Sequence, residues 1–171
     1  NHLLNTNTFS GWGLESGTIT GGFSAPDGSL TAFKYVQSSG GLYSNSMFTD
    51  SSVKTLSIYI KSVDQTSYST TIGNGVNTGV IVANVTPTWQ RISVSPNTAT
   101  SAMSLYLYAI GNVGGVMVWH PQGETGDIAT EYIPTTTVAV SVGMFANIPR
   151  IDYTGGGCGS LLLEPQRTNL I

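Results

Sequence analysis

Apolar residues in this chain return at every second position, in short runs, almost from end to end. The run Val53 to Lys61 places Leu56, Ile58 and Ile60 on one side and Ser57, Tyr59 and Lys61 on the other. Trp89 to Ser95 sets Ile92 and Val94 against Trp89, Arg91 and Ser93, and Ser104 to Ala109 sets Leu105 and Leu107 against Tyr106 and Tyr108. Val116 and Val118 alternate with Met117 and Trp119. A period of two is the signature of a half-buried strand, because successive side chains leave a pleated backbone on opposite faces. Weaker runs lie at Gly17 to Phe23, Thr31 to Val36, Gly41 to Phe48, Tyr68 to Ile72 and Gly79 to Val85. Gly, Asn, Asp, Pro and Ser separate them about every 10–15 residues, and no apolar stripe has the helical period. The pattern predicts an all-β fold, an antiparallel β-sandwich with almost no helix.

Composition shifts near Pro134, so the sandwich is expected to occupy residues 1–134. Beyond it, Thr135 to Val142 reads as an extended segment. Ile148 to Tyr153, Thr154 to Ser160 and Leu161 to Pro165 then read as strand, glycine turn and strand. A two-stranded hairpin is marginal alone in water. Residues 135–171 are therefore expected to link to a neighbouring module or subunit.

Charged residues make up 9% of the 171, and the net charge is −3. The six Lys and Arg stand singly from Lys34 to Arg167, so no basic patch is expected to match a phosphate backbone and nucleic acid is a poor candidate partner. No apolar run approaches the roughly 20 residues that cross a bilayer as a helix, so no membrane insertion is expected. The lone Cys158 excludes an intramolecular disulfide framework and multi-cysteine zinc sites. No basic segment precedes an apolar stretch in the manner of a secretory signal, so the chain is expected to be soluble, and either intracellular or part of an assembly built inside a cell.

Catalysis needs converging titratable groups, and few are at hand. Among nine carboxylates, Glu124, Asp127 and Glu131 alone cluster in sequence. They sit in a Gly-containing connection rather than along strand faces, which does not suit the paired carboxylates of a glycosidase. His2 and His120 have no Ser or Cys nucleophile in a recognisable elbow. Gly73-Asn74-Gly75 and Gly155-Gly156-Gly157 lack the lysine of a phosphate loop and read as turns. No catalytic residue and no metal ligand is assigned, and no enzyme activity is expected.

Aromatic residues are the remaining signal. Sugar rings stack their apolar faces on flat side chains while polar neighbours bond the hydroxyls. The outward set is Tyr59, Trp89, Arg91, Tyr106 and Tyr108, with Lys61 beside them. If their strands share a sheet, these residues form a carbohydrate-binding platform. The alternative is that Trp12, Trp89 and Trp119 pack in the core or at its rim.

Several segments resemble a known family. Asn1-His2-Leu3-Leu4-Asn5 through Trp12, Ala25-Pro26-Asp27-Gly28, Ser57-Ile58-Tyr59-Ile60-Lys61 and Trp89-Gln90-Arg91 resemble motifs of jelly-roll carbohydrate-binding modules. Val118 to Glu124 and Ala129 to Thr135 resemble the W-G-A-Q-L-E and A-T-x-Y-I-P-T segments, with His120-Pro121 in place of the usual Gly-Ala. Pro149-Arg150-Ile151-Asp152-Tyr153 with Leu161 through Leu170 resembles a seam of phage and prophage tail proteins. The resemblance implies a jelly roll in a tail fibre, spike or baseplate protein, assembled in the host cytoplasm into the virion. Its partners would be a host cell-surface glycan and either other tail proteins or further copies of itself, commonly as a homotrimer. It also admits a structural calcium, which hard oxygen ligands of the Glu124, Asp127 and Glu131 stretch would suit. The function expected is non-catalytic glycan binding in host adhesion. The rivals are a spacer or trimerisation module of a fibre, and an accessory module of a polysaccharide-degrading enzyme.

Overall fold

A computed structural model of the chain describes residues 1–44, 52–64, 67–73, 81–97, 105–108, 114–141, 150–152 and 160–162. The strands are β1 (Gly13–Leu14), β2 (Gly17–Phe23), β3 (Ala32–Gln37), β4 (Leu42–Tyr43), β5 (Lys54–Ser62) and β6 (Tyr68–Gly73). They continue with β7 (Ile81–Val85), β8 (Gln90–Asn97), β9 (Tyr106–Tyr108), β10 (Val116–Thr125), β11 (Arg150–Asp152) and β12 (Ser160–Leu162). No helix occurs among the described residues. Strands β2 to β10 each overlap a run read from the sequence, whereas β1 lies outside all of them.

Two five-stranded sheets form the first compact unit, Asn1–Ser141. One has the order β1-β4-β9-β6-β7 and the other β2-β3-β10-β5-β8, and every pairing is antiparallel. The chain crosses repeatedly between them: β5 lies in the second sheet, β6 and β7 in the first, β8 in the second, β9 in the first and β10 in the second. Parity decides which side chains reach the shared core, although Ala32, Ser57 and Trp119 are buried on the outer side. Leu42, Ile72, Val85 and Leu107 of the first sheet meet Tyr35, Leu56, Ile58, Ile60, Val94, Val116 and Val118 of the second in one core, which Leu3, Phe9 and Leu105 complete. Burying each large aliphatic side chain contributes roughly 1.5–3 kcal/mol, and this shared layer holds the sheets together.

Two irregularities aim side chains at the outer face of the second sheet. Between Gly21 and Phe23 the β2–β3 register shifts. Gly22 there adopts φ +92, open to a residue without a Cβ, and Phe23 packs outside with Ala32 instead of in the core. Between Trp119 and Gln122, two residues of β10, His120 and Pro121, stand against the single Ile58 of β5. Pro121 has no N–H to give the ladder, and His120 takes φ 48. The His120-Pro121 departure is thus a bulge within a continuing strand.

The first unit continues past the expected boundary at Pro134. Thr135 is buried and its hydroxyl lies 2.9 Å from that of Thr6. Asn5 N donates to Thr136 O at 2.7 Å, and Val140 N donates to Asn1 O at 3.0 Å. Asn1 fastens the same seam, since its Nδ2 donates to Ile133 O and its Oδ1 accepts from Gly123 N. Residues 135–141 therefore belong to the sandwich of their own chain, because their backbone finds its partners along the 1–6 segment. The second unit, Val142–Ile171, contains the antiparallel pair β11–β12, with Arg150 opposite Leu162 and Asp152 opposite Ser160.

Candidate functional site

Register fixes what stands on the outer face of the β2-β3-β10-β5-β8 sheet. Thr20 pairs with Lys34, Lys34 with Met117, and Met117 with Lys61. Trp89, just before β8, continues that row, with the Lys61 ammonium 5.3 Å from its ring centre. The next outward row runs from Phe23 through Ala32 to Trp119, Tyr59 and Arg91. The Arg91 guanidinium lies 5.5 Å from the Tyr59 ring centre, and its Nη2 donates to Ser57 Oγ at 3.0 Å. Cations over aromatic faces gain about 0.5–1 kcal/mol each at exposed sites, so the rings and charges hold one another in place.

Trp119 is the floor of this face. It is 8% exposed, packs edge-on against Tyr59 at 5.2 Å and donates from Nε1 to Thr31 Oγ1 at 2.9 Å. The indole is thereby tied to the loop between β2 and β3, where Asp27 Oδ1 accepts from Ser29 N. His120 fills the bulge between two rings, Trp119 at 3.4 Å and Tyr132 at 3.5 Å, nearly parallel to both. Burial pushes its imidazole down to about 4, with Asp27 opposing and Arg91 assisting. Tyr132 is anchored in turn by Thr6 Oγ1 and Asn7 Oδ1, each 2.7 Å from its hydroxyl.

The outer face of the other sheet carries a separate aromatic row. Tyr43 and Tyr106 pair across β4 and β9 with ring centres 6.5 Å apart, and Tyr108 follows 6.2 Å from Tyr106. The rings are within 20° of parallel. A Cβ on Gly41 would overlap the Tyr106 ring, so the glycine lets that ring lie close to the strand. Glu15 accepts from Gly41 N at 2.9 Å and from the Tyr106 hydroxyl at 3.4 Å. Burial and this carboxylate both raise the phenol above its ordinary range.

The five sequence-derived site residues therefore divide. Tyr59, Trp89 and Arg91 come together on the second sheet, while Tyr106 and Tyr108 project from the first. The condition that their strands share a sheet is not met, because β9 pairs with β4 and β6 and not with β5 or β8. Two contributors went unread: Lys34, whose parity with Ala32 could have shown it, and the Trp119-His120-Tyr132 stack, which depends on a bulge. The carboxylate cluster disperses as well. Glu124 is buried on β10 and accepts from Thr130 N at 3.0 Å and from the Thr130 hydroxyl, while Asp127 and Glu131 are exposed. Among the described residues no three His, Cys, Asp or Glu side chains converge.

Two antiparallel five-stranded sheets around one core, with no helix among the described residues, define a β-sandwich of the type seen in jelly-roll carbohydrate-binding modules. Among solved structures, the chain is similar to the CBM22-1 xylan-binding domain from Paenibacillus barcinonensis Xyn10C, with a TM-score of 0.51. The match covers 75% of this chain and 94% of that domain at 14% identity, a likeness of fold. No protein-family model and no curated protein sequence matches the chain.

Proposed function

We propose that this chain is a non-catalytic glycan-binding module whose ligand lies on the outer face of the β2-β3-β10-β5-β8 sheet. The observation that carries the reading is the pairing of partly exposed rings with fixed polar groups: Trp89 with Lys61, and Tyr59 with Arg91 and Ser57. Such a face offers stacking surface and hydrogen-bond donors together, the combination a pyranose demands. The Trp119 indole, fixed from below by Thr31, keeps that surface flat and preorganised.

The setting proposed is a phage tail protein that engages a host surface polysaccharide, and it rests on the sequence seam between residues 149 and 170. In that setting the module is one part of a homotrimeric fibre assembled in the host cytoplasm. The test is a glycan array on the full chain that includes xylan and bacterial surface polysaccharides, with parallel mass measurement of the oligomer and assay of reducing ends. Binding to a defined glycan without release of reducing ends is expected. Hydrolysis lost on changing Glu124 or Glu131 would refute the non-catalytic reading, and an array without any binder would favour the spacer.

A further inference from the structure

Charge on the first unit is segregated. Residues 1–141 contain four Lys and Arg: Lys34, Lys54, Lys61 and Arg91. Lys54 is buried at the end of β5, with its Nζ on Ser52 Oγ. The other three share one outer face, through the Lys34-Met117-Lys61 register and the Tyr59-Arg91 pair. The chain as a whole is acidic, at −3, so this concentration is not the by-product of a basic protein. Among the described carboxylates, Glu15 lies beside Tyr106 on the opposite sheet, Glu124 is buried with Thr130, Asp127 and Glu131 are on the loop after β10, and Asp64 follows the end of β5 beside Gly114. Asp27 is the acid at the margin, on the β2–β3 loop near His120.

We infer that this face selects acidic polysaccharide, a chain whose sugars bear uronate carboxylates; the inference rests on the glycan-binding reading above. Lys34 and Lys61 stand two strand spacings apart, roughly 10 Å, and Arg91 one strand further on the adjoining row. Three cations spread over that span meet successive charges of a repeating polyanion rather than a single carboxylate. The Arg91 guanidinium is held in place by Ser57 and Tyr59. A planar, preoriented fork recognises carboxylates through paired hydrogen bonds, where a lysine acts as a point charge. Beside Lys61 and Arg91, Trp89 and Tyr59 take the apolar faces of the same sugars. A neutral glycan would use the rings and leave the three charges without complement.

The experiment is calorimetric titration of the full chain with oligosaccharides of polygalacturonate, alginate and hyaluronate. Each is compared with its carboxyl-reduced counterpart at low and high salt. At least one uronate chain should bind tenfold or more tightly than its reduced form, and the gap should narrow as salt screens the charges. The double variant Lys34→Gln, Lys61→Gln should narrow the gap between each charged chain and its reduced form to less than about twofold, with unchanged circular dichroism. Equal affinity for charged and reduced chains, whatever the salt, overturns acid selectivity and leaves glycan binding standing. Binding of neither form overturns both. Lysine-dependent binding of single-stranded DNA without glycan binding assigns the face to nucleic acid and overturns the inference as well.

Discussion

Trp119 lies on the outer face of its sheet yet behaves, by every contact, as a buried residue. Replacing it with alanine removes an indole that is 8% exposed, the edge contact to Tyr59, the stack on His120 and the bond to Thr31. Truncating a buried Trp costs about 3–5 kcal/mol, the cavity included. For a unit of this size each kcal/mol lowers the midpoint by about 3 °C, so Trp119→Ala should fall by roughly 10 °C or more. Trp89→Ala, from a partly exposed site, should cost about 1 kcal/mol. Urea unfolding followed by far-ultraviolet circular dichroism compares the two without relying on indole fluorescence. Equal stability of the two variants would refute the division into a structural floor and a ligand-facing rim.

Other outcomes follow from buried polar groups and from the 135–141 seam. The Tyr35 hydroxyl is fully buried without a partner among the described residues, and burial pushes it up to about 12. Tyr35→Phe should therefore raise stability by about 1 kcal/mol in urea melts, and a loss would reveal a missed hydrogen bond. The His120 imidazole falls from 6.5 to about 4 on folding, so the unfolded chain holds more protons between those values. The neutral ring's contribution is complete above 6.5 and is lost as pH falls through 4. His120→Gln should flatten stability against pH in that window, and an unchanged slope would assign it to another group. A chain cut after Thr135 lacks the Thr136 and Val140 backbone pairs and should be about 3 kcal/mol less stable than one cut after Ser141. Equal stability would return 135–141 to a linker role.

Parity was legible in the sequence, and sheet membership was not. The Gly17 to Phe23 run coincides with β2, and the inward set Leu56, Ile58, Ile60 is buried as its alternation requires. Alternation says which side of a strand faces the core, but both sheets of a sandwich face the same core. Tyr59 and Tyr106 therefore share an outward reading and end on opposite surfaces. Only the pairing of β9 with β4 and β6, a long-range choice, separates them. The boundary at Pro134 was misplaced for a related reason. Residues 135–141 are tied by backbone bonds to residues 1–6, and such bonds leave no trace in side-chain pattern. The His120 stack was hidden by the bulge, which breaks the period of two on which the reading depended.

The central claim is that glycan meets the Trp89 and Tyr59 face and not the tyrosine row of the other sheet. The direct measurement is the dissociation constant of one array-identified glycan for Trp89→Ala and Tyr108→Ala, side by side with the unaltered chain. Losing an aromatic anchor costs about 2 kcal/mol, so Trp89→Ala should bind roughly 30-fold more weakly while Tyr108→Ala stays within about twofold. Weakening by Tyr108→Ala with Trp89→Ala unchanged would place the ligand on the opposite sheet and contradict the account.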